Sequence, residues 1–200
     1  MTNPYPPPGG TQQTFDRASG FSAGSIGMVA TTGDPATMSG SPNVTTGRPY
    51  LHRAYVDVSI QSGHMACDVL QLTGTNPTVS NAFMGVYDAT TQQLLAQTGD
   101  ISAALQAATA GAIVNAALTS PLPALPVNYE IYLAFLATLG GTSPALGLVG
   151  GRQFGTNQNM TADARLYTNQ NGATLSALPA QLPALTITAG FSMLWLGVGP

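Results

Sequence analysis

One stretch constrains this chain more than any other. Val127 to Thr138, VNYEIYLAFLAT, alternates so that Tyr129, Ile131, Leu133 and Phe135 share one face of an extended strand while Glu130, Tyr132, Ala134 and Leu136 share the other. Both faces are largely apolar, the pattern of a central strand packed on both sides. Its predicted companion is Phe83 to Gly99, FMGVYDATTQQLLAQTG, in which two short apolar runs flank the polar patch Asp88-Ala-Thr-Thr-Gln-Gln93. Runs of aromatic and aliphatic residues bounded by turn formers read as a β-hairpin.

Other segments repeat the texture. Leu51 to Ser62 alternates, and its apolar set (His52, Ala54, Val56, Val58, Ile60) is expected to face the core. Ser62-Gly63 turns the chain into a strand over His64–Leu72, and Gly74 to Pro77 reads as a loop. Asp100 to Ala108 allows one or two turns of helix, capped by Asp100 and ended by Gly111. Ala112–Thr119 returns as a strand. Pro121, Pro123 and Pro126 punctuate a loop, since proline does not sit in a central strand. Thr138 to Pro144 reads as another turn, and Leu185–Thr188 and Phe191–Val198 close the fold. Short strands separated by Gly and Pro predict an all-β fold, an antiparallel β-sandwich of jelly-roll type.

The two ends of this pattern differ from its middle. Residues 1–49 are rich in proline and glycine and cannot form a core alone. They are expected to be an extended N-terminal arm preceding a sandwich over 50–200, either free or ordered on a neighbouring subunit. Phe15, Phe21, Ile26, Met28 and Val29 are its candidate anchors. Residues 151–172 form a long polar loop, and loops of that length in compact domains often carry function. Arg152, Phe154, Asn157, Asn159 and Arg165 are its candidate surface-contact residues.

Composition narrows the partners. Charged residues make up 6% of the chain, there is no lysine, and the net charge is −3; ordinary soluble domains carry about 25% charge. Surface solubility then falls to Thr, Ser, Asn and Gln, or neighbours in an assembly cover much of it. Nucleic-acid binding wants clustered Lys and Arg, so that partner class is set aside. No run of about 18 apolar residues marks a membrane span and the start lacks a signal-peptide pattern, so synthesis in a cytoplasm is expected. The single cysteine, Cys67, has no internal disulfide partner.

Residues that carry chemistry are scattered. His64 and Cys67 lie an odd number of residues apart, hence on opposite faces of a strand, which argues against a shared metal. Asp57, Asp68, Asp88, Asp100, Glu130 and Asp163 show no spacing of an acid/base pair. Asp88 and Asp100 adjoin predicted turns, where aspartate bonds locally. No G-x-S-x-G elbow is present, and a phosphate-binding loop lacks its lysine. The reading is therefore non-enzymatic, with no cofactor and no metal. Tyr50, Tyr55, Tyr87, Tyr129 and Tyr132 offer rings for a carbohydrate-stacking surface, although strand tyrosines more often pack within the sheet.

The succession Gly85-Val-Tyr-Asp88, Leu94-Leu-Ala96 with Thr98 and Asp100, Tyr129 to Leu136, Leu178-Pro-Ala180 and Trp195 resembles a domain of bacteriophage virion proteins. That domain is commonest among minor tail proteins of phages of actinobacteria. The family usually has a glycine before the aromatic pair, where this chain has Val127-Asn128. The resemblance spans about residues 50–200. It implies a jelly-roll sandwich, often trimeric, displayed on a virion made in the host bacterial cytoplasm. The implied partners are other copies of itself, further tail or capsid proteins, and a host-surface glycan. Two competing expectations are a capsid decoration protein and a carbohydrate-binding module or glycan hydrolase, with Asp88 and Glu130 the carboxylates to test.

Overall fold

The computed structural model describes residues 22–38, 40, 42–151, 167–169, 175–182 and 193–200. The described chain is all-β, one curled antiparallel sheet with a small two-stranded annex. In order it runs β1 (Ala30–Thr31), β2 (Asn43–Val44), β3 (Tyr50–Tyr55), β4 (Ser62–Asp88), β5 (Leu94–Gln97), α1 (Ser102–Ala107), β6 (Ala112–Leu122) and β7 (Glu130–Leu148). Then follow β8 (Gly150–Gly151), β9 (Tyr167–Asn169), β10 (Met193–Leu194) and β11 (Leu196–Gly199).

The 27-residue β4 is the spine. Along one edge it pairs with β11, from Gly199↔His64 to Leu196↔Cys67, and then with β7, from Val69↔Leu148 to Asp88↔Ile131. The other edge carries β6 at Ser62 to Val69 and β5 at Gly85 to Tyr87. Between those two strands the β4 edge is satisfied by α1 and the segment that leads into it. Ala82 N–H donates to Asp100 Oδ1 at 2.9 Å, Met84 N–H to Thr98 Oγ1 at 3.1 Å, and Val79 N–H to Gln106 Oε1 at 2.9 Å. Side chains thus stand in for a neighbouring strand along an edge that would otherwise expose donors. On its far edge β7 is flanked by β3 and β2.

The β4–β7 ribbon bends sharply at its middle. Its register slips four times between Val69 and Asn81, with Gly74, Asn76, Gly141 and Ser143 all at positive φ. At Gly141 (φ 104°) a Cβ would stand 2.5 Å from the Asn76 carbonyl oxygen, so only glycine fits the close approach of the two strands. The bend folds the sheet onto itself until β5 and β6 meet at a Thr98↔Leu118 bridge. One continuous core results: Met65, Cys67, Val69, Leu196 and Val198 from one half pack with Met84, Val86, Leu133 and Phe135 from the other. The predicted two-sided strand is β7. Ile131, Leu133 and Phe135 enter this core, while Tyr132, Ala134 and Leu136 form a second apolar layer on the outer face with Leu178 and Leu182.

Four expectations need correction. The loops predicted at Gly74–Pro77 and Thr138–Pro144 are not chain reversals. They face one another inside the ribbon, Thr75 opposite Thr142 and Thr78 opposite Gly140, and their turn-forming residues build bulges. Pro121 lies within β6, beyond that strand's continuous pairing with β4 over Ala112–Ala117, where its missing N–H breaks no ladder. The strand expected over 51–62 ends at Tyr55. Ala54 and Val56 are buried, but Val58 is half-buried and Ile60 is 42% exposed. The chain leaves the sheet there because Asp57 is taken up by the N-terminal segment, its N–H donating to Val29 O and its carboxylate accepting from Ala23 N–H. Finally, the arm expected over 1–49 gives two strands to the sheet, at 30–31 and 43–44, while residues 1–21 lie outside the described residues. β1 pairs with β11, β2 pairs with β7, and Ala23, Val29, Ala30 and Val44 are buried.

Candidate functional site

Four of the six described carboxylates, Asp34, Asp57, Asp88 and Asp100, accept backbone N–H groups. Asp34 accepts from Ala36 N–H and Asp57 from Ala23 N–H. Asp88 closes the β4–β5 turn, accepting the N–H groups of Thr90 and Thr91 and the Tyr129 hydroxyl. The Thr91 N–H foremost, then Tyr129, holds its carboxyl below the ordinary range. The same bond pushes the Tyr129 hydroxyl up. Burial works to raise Asp100, but the N–H groups of Ala82 and Ser102 outweigh it and leave its carboxyl low. Glu130 is ion-paired with Arg53 across β3 and β7. Asp88 and Glu130, the carboxylates singled out for acid/base work, are therefore both committed to the fold. Asp68 differs: its Oδ1 is buried without a hydrogen bond, and burial raises its pKa.

Histidine and cysteine divide as strand geometry predicts. Cys67 points into the core, and burial, with the Asp68 charge beside it, pushes its thiol up to about 12, well out of the nucleophilic range. His64, on the opposite face, is exposed and donates from Nδ1 to the Pro200 carbonyl oxygen at 2.9 Å. His52 is fully buried and accepts the Leu194 N–H at Nε2 (3.3 Å); burial holds its pKa down to about 3. Among the described residues no group of three His, Cys, Asp or Glu side chains is placed to hold a metal. Of the tyrosines considered for sugar stacking, Tyr50, Tyr87 and Tyr132 are buried, and burial pushes the Tyr87 hydroxyl up. Their rings are packing elements.

The residues that carry the family resemblance largely converge. Leu178 rests on Gly85, where a Cβ would lie 2.6 Å from the leucine Cδ1. The Tyr87 hydroxyl donates to Pro179 O at 2.8 Å, Leu94 N–H to Ala180 O at 2.9 Å, and Leu182 N–H to Gln92 O at 2.9 Å. The segment 175–182 is thereby strapped across the outer face of the β4–β5 hairpin, with Leu178 and Leu182 buried. Trp195 packs separately, with Ala66 and Val149 on the outer face of the other half.

The candidate anchors and contact residues fare differently. Phe15 and Phe21 lie outside the described residues, as do Arg152, Phe154, Asn157, Asn159 and Arg165. Val29 is 2% exposed in its own chain's core, so it is not free to anchor elsewhere; Met28 is half-buried and Ile26 is 42% exposed. Sequence reasoning missed one feature altogether, an open cleft of about 140 Å³ lined by Gly27, Met28, His64, Ala66, Asn115 and Pro200 among others. No periodicity marks it, because its walls come from four separate stretches of chain. Set against models of known protein families and against curated proteins, the chain matches none.

Proposed function

We propose that this chain is a structural subunit of a bacteriophage virion, a minor tail or tail-tip protein acting as a homo-oligomer. The observation that carries the reading is the strapped hairpin. Leu178-Pro-Ala180 is distant in sequence from Gly85, Tyr87 and Leu94, yet together they form one packed unit, which gives the resemblance a common structural cause. The low charge supports a subunit with covered surfaces, and four of the six described carboxylates accept backbone N–H groups while Glu130 pairs with Arg53. In this reading the sheet is a jelly-roll relative, three copies associate, and residues 151–172 contact a host-surface glycan. The earliest residues tether the subunit to the particle.

Immunogold electron microscopy of phage particles, with antibody raised against the whole chain, tests the assignment. Gold at the tail tip is expected. Gold over the head would make the protein a capsid decoration subunit instead. Absence of gold from opened as well as intact particles would overturn the virion assignment.

A further inference from the structure

Among the described residues, β6 leaves one edge of the sheet open. Asp68 O accepts the Val149 N–H at 2.8 Å, whereas Val69 O, one residue on, accepts the Gly111 N–H at 2.8 Å. The odd-numbered residues of this part of β4 therefore aim their backbone groups at β6, where Cys67 faces Val114 and Met65 faces Ala116. Val114 and Ala116 answer them, so the N–H and C=O groups of Ile113, Asn115 and Ala117 point the other way. No described strand meets them there. β6 pairs with β4 and otherwise touches β5 through the Thr98↔Leu118 bridge, which by the same alternation lies on the β4 side. Ile113 is 63% exposed, and Asn115 and Ala117 are exposed beside it. Edge strands are commonly blunted by lysine, other charges or proline. Nothing of the kind occurs between Ile113 and Thr119, and no charged residue occurs from Ile101 to Tyr129.

We propose that this edge pairs with β6 of a second copy of the chain, antiparallel about a two-fold axis at Asn115. The strand's own sequence selects that occupant. An axis through Asn115 sets Ile113 opposite Ala117 of the second copy, Val114 opposite Ala116 and Leu118 opposite Ala112. Every large apolar side chain thus meets an alanine, the matching that lets facing rows interdigitate, and the exposed Ile113 is covered. An axis at Val114 would set Ile113 against the Asn115 amide, and one at Ala116 would set Val114 against Leu118 and alanine against alanine. With the axis at Asn115, the Ile113–Ala117 and Asn115–Asn115 pairs are of the hydrogen-bonded kind. Each exchanges both N–H···O bonds, so the groups that β4 leaves open are used together. A two-fold contact also sets each residue near its own image, where a charge would repel itself; the charge-free stretch around β6 removes that penalty. The Asn115 amide, donor and acceptor at once, complements its own image. The contact is two-fold and so distinct from the three-fold association in the virion reading. It rests on β6 alone, and its test needs neither the particle nor that symmetry.

The molar mass of the intact chain, followed by sedimentation over a range of concentrations, tests the pairing beside Asn115→Pro and Asn115→Lys. Proline removes an N–H that β4 does not use, and lysine sets like charges across the axis. Each variant should melt cooperatively and show half the molar mass of the fully assembled wild type, whether that is a dimer or a pair of trimers. A wild type whose mass stays that of one chain or of three would overturn the pairing, as would folded variants that keep the full mass. Disulfide capture fixes the register without a disruptive variant. Hydrogen-bonded neighbours have Cα atoms about 5.5 Å apart, within the span of about 4.4–6.8 Å that a disulfide bridges. Under mild oxidation Asn115→Cys should join to itself, and Ile113→Cys should join to Ala117→Cys in an equilibrated mixture. Neither of those two should join to itself, and Cys67, buried in the core, takes no part. Failure of Asn115→Cys to join, or self-joining of Ile113→Cys, would overturn the axis at Asn115.

Discussion

His52 is a neutral imidazole locked inside the sheet, and its position makes stability depend on acid in a specific window. Burial lowers its pKa from 6.5 to about 3, so the unfolded chain binds the proton more readily than the folded one. Stability is full above pH 6.5 and falls as the pH drops below it. Each pH unit in that window costs about 1.4 kcal/mol, on the order of 2 kcal/mol by pH 5. Asp88 and Asp100 also have lowered pKa values, but their losses begin only below the ordinary carboxylate range near pH 4. The loss of urea midpoint from pH 7 to pH 5 should therefore be larger in the wild type than in His52→Gln, which keeps an acceptor for the Leu194 N–H, while the raised Asp68 pKa works in the opposite direction in both proteins. A second residue-scale expectation concerns Asp100. Asp100→Ala leaves the Ala82 N–H without its partner inside the sheet edge and should cost about 1–3 kcal/mol in chemical denaturation, with Asp100→Asn costing less. That aspartates 88 and 100 serve turns was legible, because aspartate beside a polar patch has few other fates. That Asp100 also caps the middle of β4 was not, since it depends on a strand eighteen residues earlier.

Elements were legible where the pattern was two-sided and obscure where the chain bends. The β4–β5 hairpin and the two apolar faces of β7 follow directly from alternation and turn chemistry, whereas α1, expected to be capped by Asp100 and ended by Gly111, starts from Ile101 and stops at Ala108. Gly74–Pro77 and Thr138–Pro144 look like loops by composition, yet they are paired bulges on adjacent strands. The same residues supply positive φ to a reversal and to a bulge, and composition does not distinguish the two. Substitution does. Gly141→Ala must accommodate φ 104° and a Cβ 2.5 Å from backbone oxygen, so a loss of about 3 kcal/mol is expected. Gly111→Ala also has positive φ, 79°, but open space around the added carbon, so about 1 kcal/mol is expected. Equal losses in denaturant titrations of the two variants would mean that the ribbon does not bend through Gly141.

For the whole molecule, the fold includes chain that precedes residue 49. Sequence texture placed the boundary at Arg48-Pro49-Tyr50, where proline and glycine give way to alternating strands. Texture could not reveal that short strands such as Ala30–Thr31 and Asn43–Val44 complete sheet edges by pairing with β11 and β7, far along the chain. Nor could it place the cleft, whose lining comes from residues 27–28, 64–66, 115 and 199–200. Ala23, Val29, Ala30 and Val44 are each at most 4% exposed, and a buried valine contributes about 1.5–3 kcal/mol. Removing residues 1–49 takes away all four, both strands, and the partners of Asp57. That truncation should fail to fold or melt far below the full chain. Removing residues 1–21 touches none of these and should leave a cooperative melt close to the full-length one. The shorter deletion is therefore the one that separates tethering from folding. If residues 1–21 hold the subunit on the particle, the trimmed protein is folded and absent from purified virions. If it is folded and still incorporated at the normal level, the tether lies elsewhere on the sheet.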